Sequence, residues 1–399
     1  MRKLLLIALC DGEDVGEAWV AYQWANRLAE RHEVTLLSYY KRGSTPPSRQ
    51  LPRARVIEWP EPPGVGRAER LNSLLKPGYF PFYLRARRWI RESLARGERF
   101  DVAFQPVPVA MRYPCPAAGL GMPFIVGPVG GSIISPEGFE DAGDTAPWYV
   151  GLRRLDRLRI RHDPWLRRTY ERADCVLGIA PYVGDFLRDI SLRRFEVMSE
   201  TAIEQIPPPV DRSGRTGDVR LLFVGRLIRT KGARDAIQAL GVCRDLPVTL
   251  DIVGDGFDRA SCENLATDLG LTGRVRFHGW LQRDQVQEFY RAADVFVFPS
   301  YREPGGNVVF EAMGYGLPVI VSDIGGPGAA VDDQSGIRIH PDTPERYASG
   351  IASAITRLVN DPALRLSLGD GARQRVSEVG LWERKVDRFD ALCADLTRR

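Results

Sequence analysis

Several signals are missing from this chain, and each absence closes a class of function. Its six cysteines, Cys10, Cys115, Cys175, Cys243, Cys262 and Cys393, are scattered, and none forms a C-x-x-C pair. The spacing of metal and redox sites is therefore absent. A chain of 399 residues with so little cysteine fits a reducing cytoplasm. No finger-type Cys/His spacing and no Asp-x-Asp pair occurs. No apolar run approaches the ~18 residues of a membrane span. The net charge is only +4, far from the basic balance of a nucleic-acid-binding domain. Repeats and low-complexity tracts are lacking as well.

What is present is ordinary globular material, 44% hydrophobic and 27% charged. The length favours two domains over one. Met1-Arg2-Lys3 followed by the apolar residues 4–10 superficially resembles a signal peptide. That run is short, the acids Asp11, Glu13 and Asp14 follow it, and no small-x-small cleavage site appears. A buried first strand is the better reading.

Strand-like and helical patterns alternate along the whole chain. Residues 4–9, 18–31 and 34–38 read as strand, amphipathic helix and strand, a βαβ unit. Further strands are expected at 102–104, 124–126 and 175–179. Residues 201–218 (TAIEQIPPPVDRSGRTGD) are rich in proline, glycine and polar side chains and read as a linker. A second series follows, with strands at 220–224, 248–253, 275–277, 295–299 and 318–322. Helices are expected at 233–243, 261–269, 285–291 and 308–314. The fold class is thus α/β, with two Rossmann-like, doubly wound domains facing each other across a cleft. The expected division is 1–200, a linker at 201–218, 219–380, and a C-terminal helix at 381–399 packing back toward the first domain. Function should lie at the carboxyl ends of strands, after Val224, Val253, Phe277 and Pro299.

Three stretches carry chemistry. In LLFVGRLIRTKG (221–232), Arg226 and Lys231 flank a strand end and the start of a helix, while Gly225 and Gly232 permit close backbone approach. Two cations beside a helix N-terminus suit a diphosphate; a solvated basic loop is the plainer alternative. In LDIVGDGFD (250–258) the third glycine of a dinucleotide fingerprint is replaced by Arg259, which leaves a dehydrogenase a distant reading. In VFVFPSYREPGGNVVFEAMGYGLPVIVS (295–322), Glu303 lies in a loop, and Gly305 and Gly306 open a helix that carries Glu311. The N–H groups of Gly305, Gly306 and Asn307 are expected to be unpaired and to form an anion seat. Carboxylates on either side can accept from paired hydroxyls. The plainer alternative makes Glu303 a surface residue and Glu311 an ordinary helix residue.

Glu303-x7-Glu311 resembles the E-x7-E motif of glycosyltransferase family 4, retaining enzymes of the GT-B fold. The blocks VGRL…KG (224–232), IVGDG (252–256), FHGWL (277–281), ADVFVFPS (293–300) and EAMGYGLPVIVSDIGG (311–326) follow in the family's order. The resemblance implies that Arg226 and Lys231 hold the donor diphosphate, Glu303 contacts the sugar and Glu311 binds the ribose. It places Gly225, Gly305, Gly306, Asn307 and Leu281 around the donor, with His278 structural. In the first half, Gly16 is the candidate for a glycine loop lining the cleft. The family often has a histidine at a later strand end there. Here FQPVPVA (104–110) and VGPVGGSIISPEGF (126–139) contain none, and Gly127, Gly130 and Gly131 are expected to offer backbone contacts on the acceptor side. The linker reads IPPPVD where the family usually has IPNGVD, and EPGG replaces EGFG.

The implied activity is metal-independent transfer with retention, from a nucleotide-sugar such as a UDP-sugar, with no cofactor. The acceptor would be a saccharide or a polyprenyl-diphosphate-linked one, in cell-surface polysaccharide or glycolipid synthesis. A UDP-sugar epimerase and a catalytically degenerate scaffold are the alternatives. Basic and aromatic stretches at 79–91 and 153–172 could seat an anionic membrane or such an acceptor. The expected location is the cytoplasm, peripheral to the inner face of the plasma membrane.

Overall fold

A computed structural model describes residues 1–14, 16–41, 43–61, 76, 78–139 and 155–398. Parts of the basic stretch at 153–172 and the glycine loop's Val15 lie outside the described residues. The chain divides into two units. Unit 1 comprises Met1–Ser132, Pro147–Glu200 and Lys385–Arg399, and unit 2 comprises Ile133–Ala146 and Thr201–Arg384.

Unit 1 holds β1 (Lys3–Ile7), β2 (Glu33–Tyr40), β3 (Arg55–Pro60), β4 (Val102–Gln105), β5 (Phe124–Val129), β6 (Cys175–Gly178) and β7 (Phe195–Val197). All pair in parallel, in the order β3-β2-β1-β4-β5-β6-β7. Unit 2 holds β8 (Val219–Val224), β9 (Val248–Val253), β10 (Val275–Gly279), β11 (Val295–Phe298), β12 (Val319–Ser322) and β13 (Gly336–Ile339). These are also parallel, in the order β10-β9-β8-β11-β12-β13. Parallel neighbours need crossover helices, which cover both faces and bury the strands from both sides. Hence Leu4, Leu5 and Leu6 in β1 and Val295, Phe296 and Val297 in β11 are wholly buried.

β3, β7 and β13 have no counterpart in the sequence reading. Each is an outer strand and only partly buried. An edge strand buries less, so its apolar run is diluted below recognition.

The chain order reverses between β1 and β4 in unit 1 and between β8 and β11 in unit 2. At such a point the loops after the two strands leave in opposite directions and open a crevice. In unit 2 those loops are the ones carrying Arg226–Lys231 and Glu303. Gly232 lets them approach: its φ is +82°, and a Cβ there would stand 2.1 Å from the Pro299 carbonyl oxygen. No side chain fits.

Three segments differ from a simple two-block division. Residues 201–218 are bonded into unit 2 rather than hanging as a tether. The Ile203 N–H donates to the Gly380 carbonyl at 2.8 Å. The Arg212 guanidinium donates to the carbonyls of Tyr290, Ala293 and Tyr315 at 2.8–2.9 Å. Residues 133–146 also belong to unit 2. The helix Trp382–Thr397 joins unit 1 from Lys385 onward, where Phe389 packs on Phe104 with ring centroids 4.4 Å apart. No described helix is long and apolar enough to cross a membrane.

Candidate functional site

The loop after β8 ends in a 3-10 turn, Arg229–Lys231. Arg229 pins that turn. It is buried, pairs with Asp235 through both terminal nitrogens, and lies over the rings of Phe139 and Tyr301 at 5.5 and 5.4 Å. Ser300 Oγ donates to the Thr230 carbonyl at 2.9 Å and ties this turn to the end of β11. Lys231 is thereby aimed at Glu303, and their side chains form an ion pair, each 13% exposed. Burial, and then the neighbouring Arg226 guanidinium, pull the Lys231 amine down to about 8. The Glu303 carboxylate opposes that shift and favours the ammonium. Arg226 is exposed, with no ion pair among the described residues.

Glu303 is also bonded to its own loop. Its Oε1 accepts the Gly305 N–H at 3.2 Å, and its carbonyl accepts the Gly326 N–H at 3.0 Å. The expected seat of three unpaired N–H groups is therefore corrected to two. Gly305 is already satisfied, because the acid folds back two residues along the chain. The N–H groups of Gly306 and Asn307 have no acceptor among the described residues. They open the helix Asn307–Gly314, which starts from Gly306 at φ +78°.

Beyond this helix start lies a cavity of about 680 Å³ in unit 2. Glu311 faces it. Its Oε2 accepts from the Tyr290 hydroxyl at 3.1 Å and its Oε1 from Asn307 Nδ2 at 2.8 Å. Burial raises the Glu311 carboxyl above its ordinary value, against the pull of Tyr290, Arg283 and Asn307. Each oxygen retains acceptor capacity toward the cavity, so the pair can receive two adjacent hydroxyls. Leu281, Tyr315, Pro207 and Pro208 supply apolar wall, and Tyr315 stacks on Tyr290 at 5.4 Å. Gly225 is spent on the frame, its N–H donating to the Val253 carbonyl at 3.0 Å. His278 Nε2 is 2.7 Å from Asp251 Oδ1 and its ring packs on Phe289, a bracing position. Among the described residues no three His, Cys, Asp or Glu side chains converge as metal ligands.

Sequence reasoning missed Tyr290, Arg283 and the 203–208 rim. Tyr290 is the one buried residue of the polar helix Arg283–Ala292, a position that the sequence does not mark.

In unit 1 the expected positions are more committed. Gly16 is exposed and begins the helix Glu17–Ala29 at φ +71°. Gly130 is not free for a ligand. Its N–H donates to the Val109 carbonyl at 2.7 Å and its carbonyl accepts from Met111, because the chain bridges here to Ala110. That corrects the expectation of backbone contacts at Gly130. The Gly131 carbonyl accepts from the Tyr182 hydroxyl at 3.2 Å. Nearby, Glu17 Oε2 receives both the Lys76 ammonium and the Val109 N–H. Lys385 is buried, donates to the Glu200 carbonyl at 2.9 Å and lies over Trp24 at 5.3 Å.

Two family models divide the chain in the same way. Residues 211–375 match glycosyl transferases group 1, and residues 15–198 match a glycosyl transferase 4-like domain. The chain is 33% identical over 251 residues to the lipopolysaccharide core biosynthesis glycosyltransferase LpsE of Rhizobium meliloti, covering 61% of this chain and 70% of that protein. The chain belongs to the family 4 type of glycosyltransferases. This glycosyltransferase is also 36% identical over 249 residues to glycogen synthase of Mycobacterium tuberculosis, covering 61% of this chain and 58% of that one. Among solved structures, it resembles sucrose-phosphate synthase from Thermosynechococcus elongatus, with a TM-score of 0.67, 21% identity and 99% of each chain covered. It also resembles Anabaena Alr3699/HepE, solved in complex with UDP and glucose, with a TM-score of 0.62, 16% identity, and 99% of this chain and 100% of that one covered. Both likenesses show the GT-B fold, two Rossmann-like units of parallel sheet.

Proposed function

We propose that this glycosyltransferase takes its sugar from a UDP-sugar, with the donor lying along the β8/β11 crevice of unit 2. The observation that carries the reading is the order of groups there. Glu311 with its apolar-walled cavity comes first, then the free N–H groups of Gly306 and Asn307, then Lys231, Arg226 and Glu303. Glu311 takes the ribose hydroxyls and Leu281 flanks the base. Diphosphate charge meets the helix start and the two cations, which stabilise the departing phosphate without a metal ion. The diphosphate competes for Lys231 and releases Glu303 to accept from a sugar hydroxyl. Transfer proceeds with retention: the leaving phosphate oxygen takes the acceptor's proton on the face it vacates. No cofactor takes part.

The acceptor is a saccharide or a polyprenyl-diphosphate-linked saccharide, in cell-surface polysaccharide or glycolipid synthesis; the likeness to a lipopolysaccharide core glycosyltransferase supports this. The protein works in the cytoplasm, peripheral to the inner membrane face. Phe80, Leu84 and Trp165 support that placement, at 38%, 60% and 51% exposed in the arginine-rich helices Tyr79–Ala95 and Pro164–Arg172. The test is Glu311→Ala with UDP-sugar turnover as readout. A fall of at least tenfold is expected, since a hydrogen bond to a charged group contributes about 1.5–3 kcal/mol. Undiminished turnover would sink the site.

A further inference from the structure

Residues 133–139 follow β5 in sequence yet pack within unit 2. Phe139 anchors them: it is 2% exposed and lies against Tyr301 and Tyr347 at 4.3 and 5.7 Å. It is also one of the two rings beneath Arg229. Gly138 sits where a Cβ would meet the Asp342 carbonyl oxygen at 2.9 Å, so the segment is tightly seated. From this anchor the chain reaches the loop that carries Glu303. Arg302 Nη1 donates to Ser135 Oγ at 3.3 Å. Ile133 lies beside Gly325, which adjoins the same loop. A Cβ placed on Gly325 would stand 2.3 Å from the Glu303 carbonyl oxygen and 3.3 Å from Ile133 Cδ1. Ile133 is half-buried, and its methyl end fills the gap that Gly325 leaves beside Glu303.

We infer that this segment is a strap that walls the sugar end of the donor site, with Ile133 and Ser135 determining which sugar fits against Glu303. The inference rests on the donor reading above. Glu311 and its cavity stand at one end of the helix start, and Glu303 at the other. Among the described residues, Ser135 on Arg302 and Ile133 beside Gly325 place the strap's start at the Glu303 end. Bulk at Ile133 therefore acts on the sugar and leaves the nucleotide alone. Apolar walls discriminate by volume, typically tenfold or more for a misfit of a few atoms. Ser135 acts through Arg302 as a positioning residue.

The experiment is calorimetry on the full chain, with UDP, GDP and ADP first and then the glucose and N-acetylglucosamine adducts of whichever binds. For Ile133→Trp, the nucleoside diphosphate should bind within twofold of the unaltered protein and its glucose adduct at least tenfold more weakly. Retained diphosphate binding also shows that the variant is folded. For Ile133→Ala, the affinity ratio should shift at least threefold toward the bulkier N-acetylglucosamine adduct. If both variants leave the ratios unchanged, or weaken diphosphate and adduct equally, the strap has no part in sugar choice. No nucleotide binding by the unaltered chain would overturn the donor reading itself, and the strap with it. Normal binding with unshifted ratios overturns the strap alone.

Discussion

The two units share one frame and differ in what they do with polar groups at strand ends. In unit 1 these groups are spent on one another. Gly130 is bonded to Val109 and Met111, the Gln50 side chain bridges Asp11 and Gly12, and Glu17 holds Lys76 and Val109. Lys385 donates to the Glu200 carbonyl and lies over Trp24. In unit 2 the comparable groups are held but not exhausted. Glu311 is fixed by two neutral donors and keeps acceptor capacity, Gly306 and Asn307 keep their N–H groups, and Arg226 stands exposed. A parallel sheet with a switch point offers a crevice in either unit. Recognisable chemistry appears where the lining remains available to a ligand.

That contrast can be broken most directly at two lysines, the half-buried Lys231 and the buried Lys385. Lys231→Ala should lower transfer about 100- to 1000-fold, the usual cost of losing one charge-stabilising donor, with little change in the urea midpoint. A large loss of stability with ordinary activity would put Lys231 in the structural class of Lys385. The pH dependence sharpens the point. Anion binding needs the ammonium, which is lost as pH rises through the lowered value of about 8, and the paired Glu303 moves that limb upward. Donor affinity should therefore decline above pH about 8, and Lys231→Arg should abolish the decline. The mirror experiment is Lys385→Ala. It strands the Glu200 carbonyl and should destabilise the protein by about 1–3 kcal/mol, measured by urea unfolding. Lys385→Met, which keeps the stem over Trp24, should recover part of it. The smallest effect is expected from Tyr290→Phe, which removes one donor from Glu311. Donor Kd should rise about three- to tenfold, near 1 kcal/mol, by calorimetry; an unchanged Kd would show that Asn307 alone orients the acid.

Central strands were legible because burial on both faces makes a continuous apolar run, as in β1 and β11. Edge strands β3, β7 and β13 were not, because half-exposure mixes polar residues into the pattern. In the site, Glu303 and Glu311 stood out by their place around a Gly-Gly helix start and by their resemblance to a family motif, and Lys231 by its strand-end position. Tyr290 did not, because nothing in a polar ten-residue helix marks which side chain will meet an acid 21 positions later. The surplus of free N–H groups expected at Gly305 failed for a local reason, the short turn back from Glu303.

The alternation of strand and helix, and hence the fold class and the loops that carry charge, follows from the order of apolar and polar residues alone. That information is local: it depends on the period of each segment and on its caps. Strand order does not, because it depends on which way each crossover turns and on contacts between distant residues. Only the folded chain placed the reversal between β8 and β11, and so brought Lys231 against Glu303, 72 positions away. Only the folded chain seated residues 133–139 beside that pair, where a buried Phe139 and a missing side chain at Gly325 leave room for Ile133.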